Sequence, residues 1–320
     1  MFEYGLQEDL TPNLVFIDGL TRCGKSIFSP LIGTFERCEQ IRFFSLIEQL
    51  IPAIMTESIE LDFCRSLLRT QLNEFAYDMM LSRNANFRKG EQTSIYNHPE
   101  PEIYENRLNK PEGDGVISEI RSNERIIPIM THDMMASMDS LIQLNLNFKM
   151  IEIYRHPIDL INSQFQRGWG KRFGNDPRAF TLTVSKMGAL YPWYAIGFED
   201  MWESFSELER VVWMTLTLLE KSVTNHKELT DKQNLLSIRF EDLVTTPNPV
   251  IAKITQFLRT QETKNTWEVL EKSNIPRMID KGKRISTFKH INKSIRPDLR
   301  KSLEQTVNNY ESNCYGVPFQ

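Results

Sequence analysis

The chain has 320 residues, of which 40% are hydrophobic and 10% aromatic, ample for the core of one large domain. Its formal net charge is −4 with no dominant Lys/Arg block, which argues against an extended nucleic-acid surface and leaves room for a local basic pocket that takes a small anion. The N-terminal residues lack a basic region followed by an apolar one, and no stretch approaches the roughly 20 apolar residues of a membrane span. Cys23, Cys38, Cys64 and Cys314 lack the close pairs of a zinc site. A soluble, cytoplasmic protein with four free thiols is expected.

In chain order, Leu14-Val15-Phe16-Ile17 reads as a buried strand that runs straight into the loop Asp18-Gly19-Leu20-Thr21-Arg22-Cys23-Gly24-Lys25-Ser26. Gly19, four residues, then Gly24-Lys25-Ser26 is the spacing with which backbone N–H groups and a helix N-terminus surround phosphate oxygens. Thr21, Arg22, Cys23, Gly24, Lys25 and Ser26 are therefore candidate phosphate contacts. Leu61, Cys64, Leu68, Leu72, Phe75 and Met79 follow at steps of three and four, which predicts a helix over about 58–83. An irregular stretch, 84–115, precedes strands at 126–130 and 148–154. A second irregular stretch, 166–200, carries Trp169 and Tyr191-Pro192-Trp193-Tyr194. Trp202, Phe205, Leu208, Val212, Leu216, Leu219 and Val223 predict another helix, and 235–240 a fourth strand. Strands alternating with helices give an α/β fold whose parallel sheet is covered on both faces, in a single domain over 1–320.

The third strand ends in Arg155-His156-Pro157-Ile158-Asp159-Leu160-Ile161-Asn162-Ser163. Ligands of open parallel sheets bind at that end. Alone, Arg155 and Ser163 would be a strand-end ion pair and a helix-surface hydroxyl. Beside the loop at 19–26 they resemble the sulfotransferase family, whose donor is 3′-phosphoadenosine 5′-phosphosulfate (PAPS) and whose R-x-P-x-D-x-x-x-S pattern holds the 3′-phosphate. Ser237-Ile238-Arg239-Phe240-Glu241-Asp242-Leu243 with Pro247, Ile251, Phe257 and Leu258 is similar to a structural passage of that family. Asp280-Lys281-Gly282-Lys283-Arg284 resembles its Arg-Lys-Gly loop over the 3′-phosphate, with Asp280 in place of the Arg. The resemblance implies a three-layer α/β/α sandwich with a central, mostly parallel sheet, the P-loop NTPase-like sulfotransferase fold. It also implies that Lys281 and Gly282 join the donor contacts, and that the irregular segments around 84–125 and 164–200 lie on the acceptor side.

Sulfuryl transfer moves a planar group between two oxygens in line, so positioning and charge stabilisation supply most of the catalysis. Arg22 stands where the family usually has a Lys beside the bridging oxygen, and can stabilise charge on the leaving phosphate. Ile129-Met130-Thr131-His132 resembles the family's Lys-Thr-His segment, which makes His132 the candidate general base; imidazole titrates near neutrality. Glu119 and Asp133 are alternative bases. The resemblance implies PAPS as cosubstrate, adenosine 3′,5′-bisphosphate as product, no required metal, and a small-molecule, lipid or carbohydrate acceptor rather than a nucleic-acid polymer. Two rivals stay open: an ATP-dependent P-loop kinase, because Lys25-Ser26 suits a nucleoside triphosphate, and an inactive nucleotide-binding protein, because Met130 and Asp280 depart from the family pattern. Phe165, Trp169, Tyr191, Trp193 and Tyr194 could line an acceptor pocket or pack in the core. His98, His156, His226 and His290 are expected at the surface.

Overall fold

The computed structural model describes residues 3–173, 176–229 and 233–317. Its strands are β1 (Leu14–Asp18), β2 (Arg42–Phe43), β3 (Ile127–Met130), β4 (Lys149–Tyr154), β5 (Thr183–Lys186), β6 (Ala189–Pro192) and β7 (Leu235–Arg239). Five form one parallel sheet in the order β2-β3-β1-β4-β7, and β5 pairs with β6 as a separate antiparallel hairpin. Along β1 the side chains alternate between faces. Phe16 joins Ile129, Met150, Leu68 and Leu72 in one core, while Val15 and Ile17 join Ile151, Phe28 and Val212 in the other. Both faces are covered by helices, so the central strands read as unbroken apolar runs, and the α/β/α sandwich follows.

The Leu61–Met80 helix covers one face, as its periodicity predicts. The stripe that starts at Trp202 is two elements instead of one. A short helix, Glu199–Ser204, ends before an extended Phe205, and a new helix spans Glu207–Glu228. The break has a local cause: Ser206 Oγ accepts from the Glu209 N–H at 3.3 Å while the Glu209 carboxylate accepts from the Ser206 N–H at 2.9 Å, a capping box that starts the second helix afresh. Trp202 still packs against Trp213, 5.8 Å between ring centroids. Periodicity also misses β2, two residues long, and the β5–β6 hairpin, whose turn residues Met187 and Gly188 both have positive φ.

Three of the histidines expected at the surface are buried. His98 packs edge-on against Tyr104, and His226 lies beneath Tyr154. His156 caps the Pro157–Gln166 helix, its Nδ1 accepting from the Ile158 N–H at 3.3 Å. Only His290 is exposed as expected. All four cysteines are free and buried, and no helix among the described residues is long and apolar enough to cross a membrane.

The segment around 84–125 is anchored by a buried ion pair. Arg107, in the short helix Glu102–Arg107, donates two hydrogen bonds of 2.8 Å to the carboxylate of Glu39, whose side chain is 1% exposed. Burial alone would raise the Glu39 carboxyl, but Arg107 outweighs it and holds the group at about 2, below the ordinary 4.5. Breaking such a pair leaves an uncompensated buried charge. Arg107→Met should therefore destabilise the fold by about 3–5 kcal/mol, measured by denaturant unfolding at pH 7. Because the folded value is depressed, the stabilisation is fully present above 4.5 and is lost as pH falls towards 2, so the gap between wild type and variant should close over that range. A gap that persists unchanged at pH 2 would show that the ion pair is not its source.

Candidate active site

β1, β3 and β4 are adjacent at the centre of the sheet, and the three motif segments leave their carboxyl ends together. This is the switch point at which open parallel sheets hold ligands, because the chain leaves β1 for either side. The loop after β1 opens with Gly19 at φ 133° and closes with Gly24 at φ 112°. At Gly24 an added Cβ would lie 2.2 Å from the Phe240 ring, so glycine is required there by space as well as by φ. The Lys25–Ile32 helix starts at Gly24 without a side-chain cap, which leaves its first N–H groups towards the loop mouth.

Three side chains hold the carbonyls of this loop from behind. Lys25 is 3% exposed; its Nζ donates to Gly19 O, to Leu20 O at 3.1 Å and to Cys23 Sγ at 3.6 Å. Buried Gln164 donates to Thr21 O at 2.8 Å while accepting from Thr215 Oγ1 at 2.8 Å. Arg155 Nη1 donates to Arg22 O at 2.8 Å. With its carbonyls drawn inward, the loop can turn N–H groups outward, the polarity an anion needs. Burial would lower the Lys25 pKa, but Cys23, Asp18, Asp133 and Glu152 around it prevail and raise it, so the ammonium stays charged. Glu152 faces Asp18 across the β1–β4 register, and burial, with Asp18 beside it, pushes its carboxyl well above the ordinary range. Sequence spacing puts Lys25 on the phosphate side of the loop; in the structure all three of its N–H donors are engaged beneath it. Cys23 is likewise buried, and Ser26 sits in the first helical turn.

Arg22, at φ 75°, donates through Nε to Ser163 Oγ at 3.0 Å, so the loop and the Pro157–Gln166 helix meet through Arg22, whereas the sequence pairs Ser163 with Arg155. Arg155 lies over the Phe240 ring, 4.6 Å from its centroid, with Nε buried and without a hydrogen-bond partner. Arg167 completes the group. Burial lowers the Arg22 pKa, and the charges of Arg167 and Arg155 lower it further. No carboxylate pairs with any of the three among the described residues. The sequence reading missed Arg167, although it lies one helical turn beyond Ser163, at i+4.

His132 opens on a cavity of about 930 Å³ that reaches Thr21 of the loop. Its Nδ1 lies 3.0 Å from Glu48 Oε1, its ring stacks on Phe43, and its Nε2 makes no hydrogen bond among the described residues. Pairing of Nδ1–H with the Glu48 carboxylate would leave the Nε2 lone pair free to take a proton. Glu48 comes from the Ser45–Met55 helix, and no spacing in the sequence links it to His132. Asp133 borders the same cavity, its carboxyl pushed up to about 6 by burial. Trp169, Trp193 and Tyr194 line the cavity; Phe165 and Tyr191 do not. Glu119 lies apart from it, ion-paired with Lys110.

The segment from Asp280 is the start of a helix and not a loop. Asp280 Oδ1 accepts from the Lys283 N–H at 2.8 Å and caps the Lys281–Ser294 helix. Lys281 lines a separate cavity of about 400 Å³ with His156, Arg239 and Arg284, and no hydrogen bond or ion pair among the described residues joins Lys281 or Gly282 to Arg22, Arg155 or Ser163.

Residues 13–310 match the family described as sulfotransferase domain. Similar solved structures include the sulfotransferase domain of the curacin biosynthetic pathway (13% identity, 98% of this chain and 95% of that one, TM-score 0.44). Another is the sulfotransferase domain of the Synechococcus PCC 7002 olefin synthase (14%, 100% and 94%, TM-score 0.41). A third is retinol dehydratase in complex with androsterone and inactive cofactor PAP (15%, 97% and 83%, TM-score 0.36). These TM-scores are below 0.5, and the assignment rests on the family match. Among curated proteins no sequence match reaches significance.

Gly24→Ala should push Phe240 out from under Arg155 and weaken pyrophosphate binding at least tenfold in calorimetry, on the order of 1.4 kcal/mol. Gly115→Ala, whose methyl meets open space, serves as the control and should bind as wild type does. Unchanged binding by Gly24→Ala would show that the loop is not the anion site.

Proposed function

We propose, for a chain that belongs to the sulfotransferase domain family, that it transfers the sulfuryl group of PAPS to a hydroxyl acceptor with His132 as general base. One observation carries the choice of donor. Arg22 bonds Ser163 at the mouth of a phosphate-type loop with the charges of Arg155 and Arg167 close to it, none of the three has a carboxylate partner among the described residues, and Arg155 Nε is buried without a bond. Like charges so placed repel one another, and a ligand with two anionic ends would relieve the repulsion at both.

When bound, PAPS supplies an activated sulfuryl group whose leaving group is adenosine 3′,5′-bisphosphate. In this reading the loop N–H groups of 21–26 and the Arg22 guanidinium hold the 5′ end, and Arg22 stabilises the charge that develops there. Arg155, Ser163 and Arg167 hold the 3′-phosphate. Lys281 and Gly282, on a helix packed against Pro157–Gln166, are assigned to it by resemblance alone. Lys25 acts from beneath as a positioning residue, keeping the loop carbonyls away from the anion.

The acceptor hydroxyl gives its proton to His132 Nε2 as its oxygen bonds to sulfur. Glu48 is a positioning residue that fixes the ring and its tautomer through Nδ1. His132 is favoured over Asp133 because its ring lines the cavity with Nε2 making no hydrogen bond among the described residues, whereas Asp133 is sunk beside the charged Lys25.

His132→Ala should lower kcat by about 10²–10⁴-fold while binding of adenosine 3′,5′-bisphosphate stays within a few-fold of wild type. Glu48→Gln should give a smaller loss in kcat with the same donor affinity. Both are read from single-turnover sulfate transfer and from calorimetry. Full turnover by His132→Ala would remove it as the base.

A further inference from the structure

The span that carries His132 is held on both sides by one carboxylate. Asp18, the last residue of β1, is 0% exposed. Its Oδ1 accepts from Thr131 Oγ1 at 2.8 Å and its Oδ2 from the Met135 N–H at 3.1 Å. Strand pairing ends here: the Thr131 N–H donates to Ile17 O at 3.1 Å, and Asp133, at φ 61°, turns the chain out of the strand direction. Past that turn the backbone has two further ties. The Asp133 N–H donates to Gly19 O at 3.4 Å, and Met135 O accepts from Asn225 Nδ2 at 2.9 Å. Residues 131–135 are thus fastened to the end of β1 and the first residue of the loop, while the His132 ring lines the cavity.

A counter-charge for Lys25 would need only to lie near it. Lys25 donates to Gly19 O, Leu20 O and Cys23 Sγ, and no hydrogen bond or ion pair among the described residues joins it to Asp18. The directional bonds of Asp18 go instead to the residue before His132 and to the third residue after it. Resting on the sulfotransferase reading for what His132 does, we propose that Asp18 is a positioning residue for His132. By holding Thr131 and Met135 it sets the imidazole against Glu48 and at a fixed distance from the donor loop, which begins at the next residue. The Gly19 carbonyl repeats the link, since it accepts from both the Lys25 ammonium and the Asp133 N–H. A base acts only within hydrogen-bond reach of the proton it takes, so the spacing between loop and ring decides whether acceptor and sulfuryl group meet in line.

Thr131→Val removes one of the two bonds without altering Asp18 or the loop, and Thr131→Ser keeps the hydroxyl. The readout is nitrogen NMR of isotope-labelled histidine in the full chain, with His132 assigned by the signals missing from His132→Gln. In alkaline buffer, where imidazole is neutral, the wild-type ring should carry its proton on Nδ1, facing Glu48, and show two well-separated nitrogen shifts. Thr131→Val should draw those shifts together as the ring leaves Glu48, and Thr131→Ser should restore the separation. Calorimetry should find adenosine 3′,5′-bisphosphate bound by both variants within about threefold of wild type. Asp18→Asn serves if Thr131→Val does not fold: its amide can accept from Met135 and donate to the Thr131 hydroxyl, so the clamp stays without the charge and the separation should stay with it. Three results would each overturn the proposal: merged shifts already in wild type, wild-type shifts in Thr131→Val, or merged shifts in Asp18→Asn, which would make the charge balance around Lys25 the source. A wild type that binds no bisphosphate would sink the sulfotransferase reading, while the shifts alone would still decide whether Asp18 positions the ring.

Discussion

The site depends on where the Lys25 ammonium is buried. A charge sunk beneath the loop is tolerable because Asp18 and Asp133 lie near it, and because the carbonyls of Gly19 and Leu20 accept its protons. That arrangement fixes the polarity of the loop. Gln164 and Arg155 repeat the device at Thr21 and Arg22, so four successive carbonyls are drawn back. Without those bonds the same backbone could turn carbonyls towards the ligand and repel an anion.

The sheet then brings the other groups to the loop. β3 and β4 flank β1, so His132 and Arg155 emerge on either side of it. Arg155 reaches back across the loop to rest on Phe240, which follows β7. The two flanks differ in character. The β4 side carries arginines, whereas the β3 side opens into a wide cavity lined by aromatic residues and by no Lys or Arg. In the proposed reaction the anionic donor belongs to the first and the acceptor to the second, with His132 and Thr21 at their boundary.

Much of this could be read from the sequence because the motifs sit at strand ends, and strand ends are fixed by apolar runs. Leu14–Ile17, Ile126–Met130 and the Lys149–Tyr154 run locate the loop, His132 and Arg155 to within a residue or two. What escaped depends on contacts between distant segments. Glu48 approaches His132 from a helix 84 positions away, and Lys25 turns inward to the Gly19 and Leu20 carbonyls, where Asp18 of β1, Asp133 beyond β3 and Glu152 of β4 surround it. Spacing shows that a Lys follows Gly24; it does not show which side of the loop its ammonium takes. The same limit applies to His98, His156 and His226, which are polar by composition and buried by packing. The two-element stripe around Trp202 was readable in principle, since Ser206-Glu207-Leu208-Glu209 is a capping-box sequence inside an apolar pattern that masks it.

The central claim is that the arginine cluster and the loop together recognise a donor with anionic groups at both ends of a ribose. Calorimetric titration of the full chain with adenosine 3′,5′-bisphosphate, ATP and ADP, first without magnesium and then with it, tests this most directly. The account predicts that the bisphosphate binds at least tenfold more tightly than ATP or ADP in either condition, a margin of about 1.4 kcal/mol. Tighter binding of ATP, strengthened by magnesium, would contradict it and make the loop a nucleoside-triphosphate site.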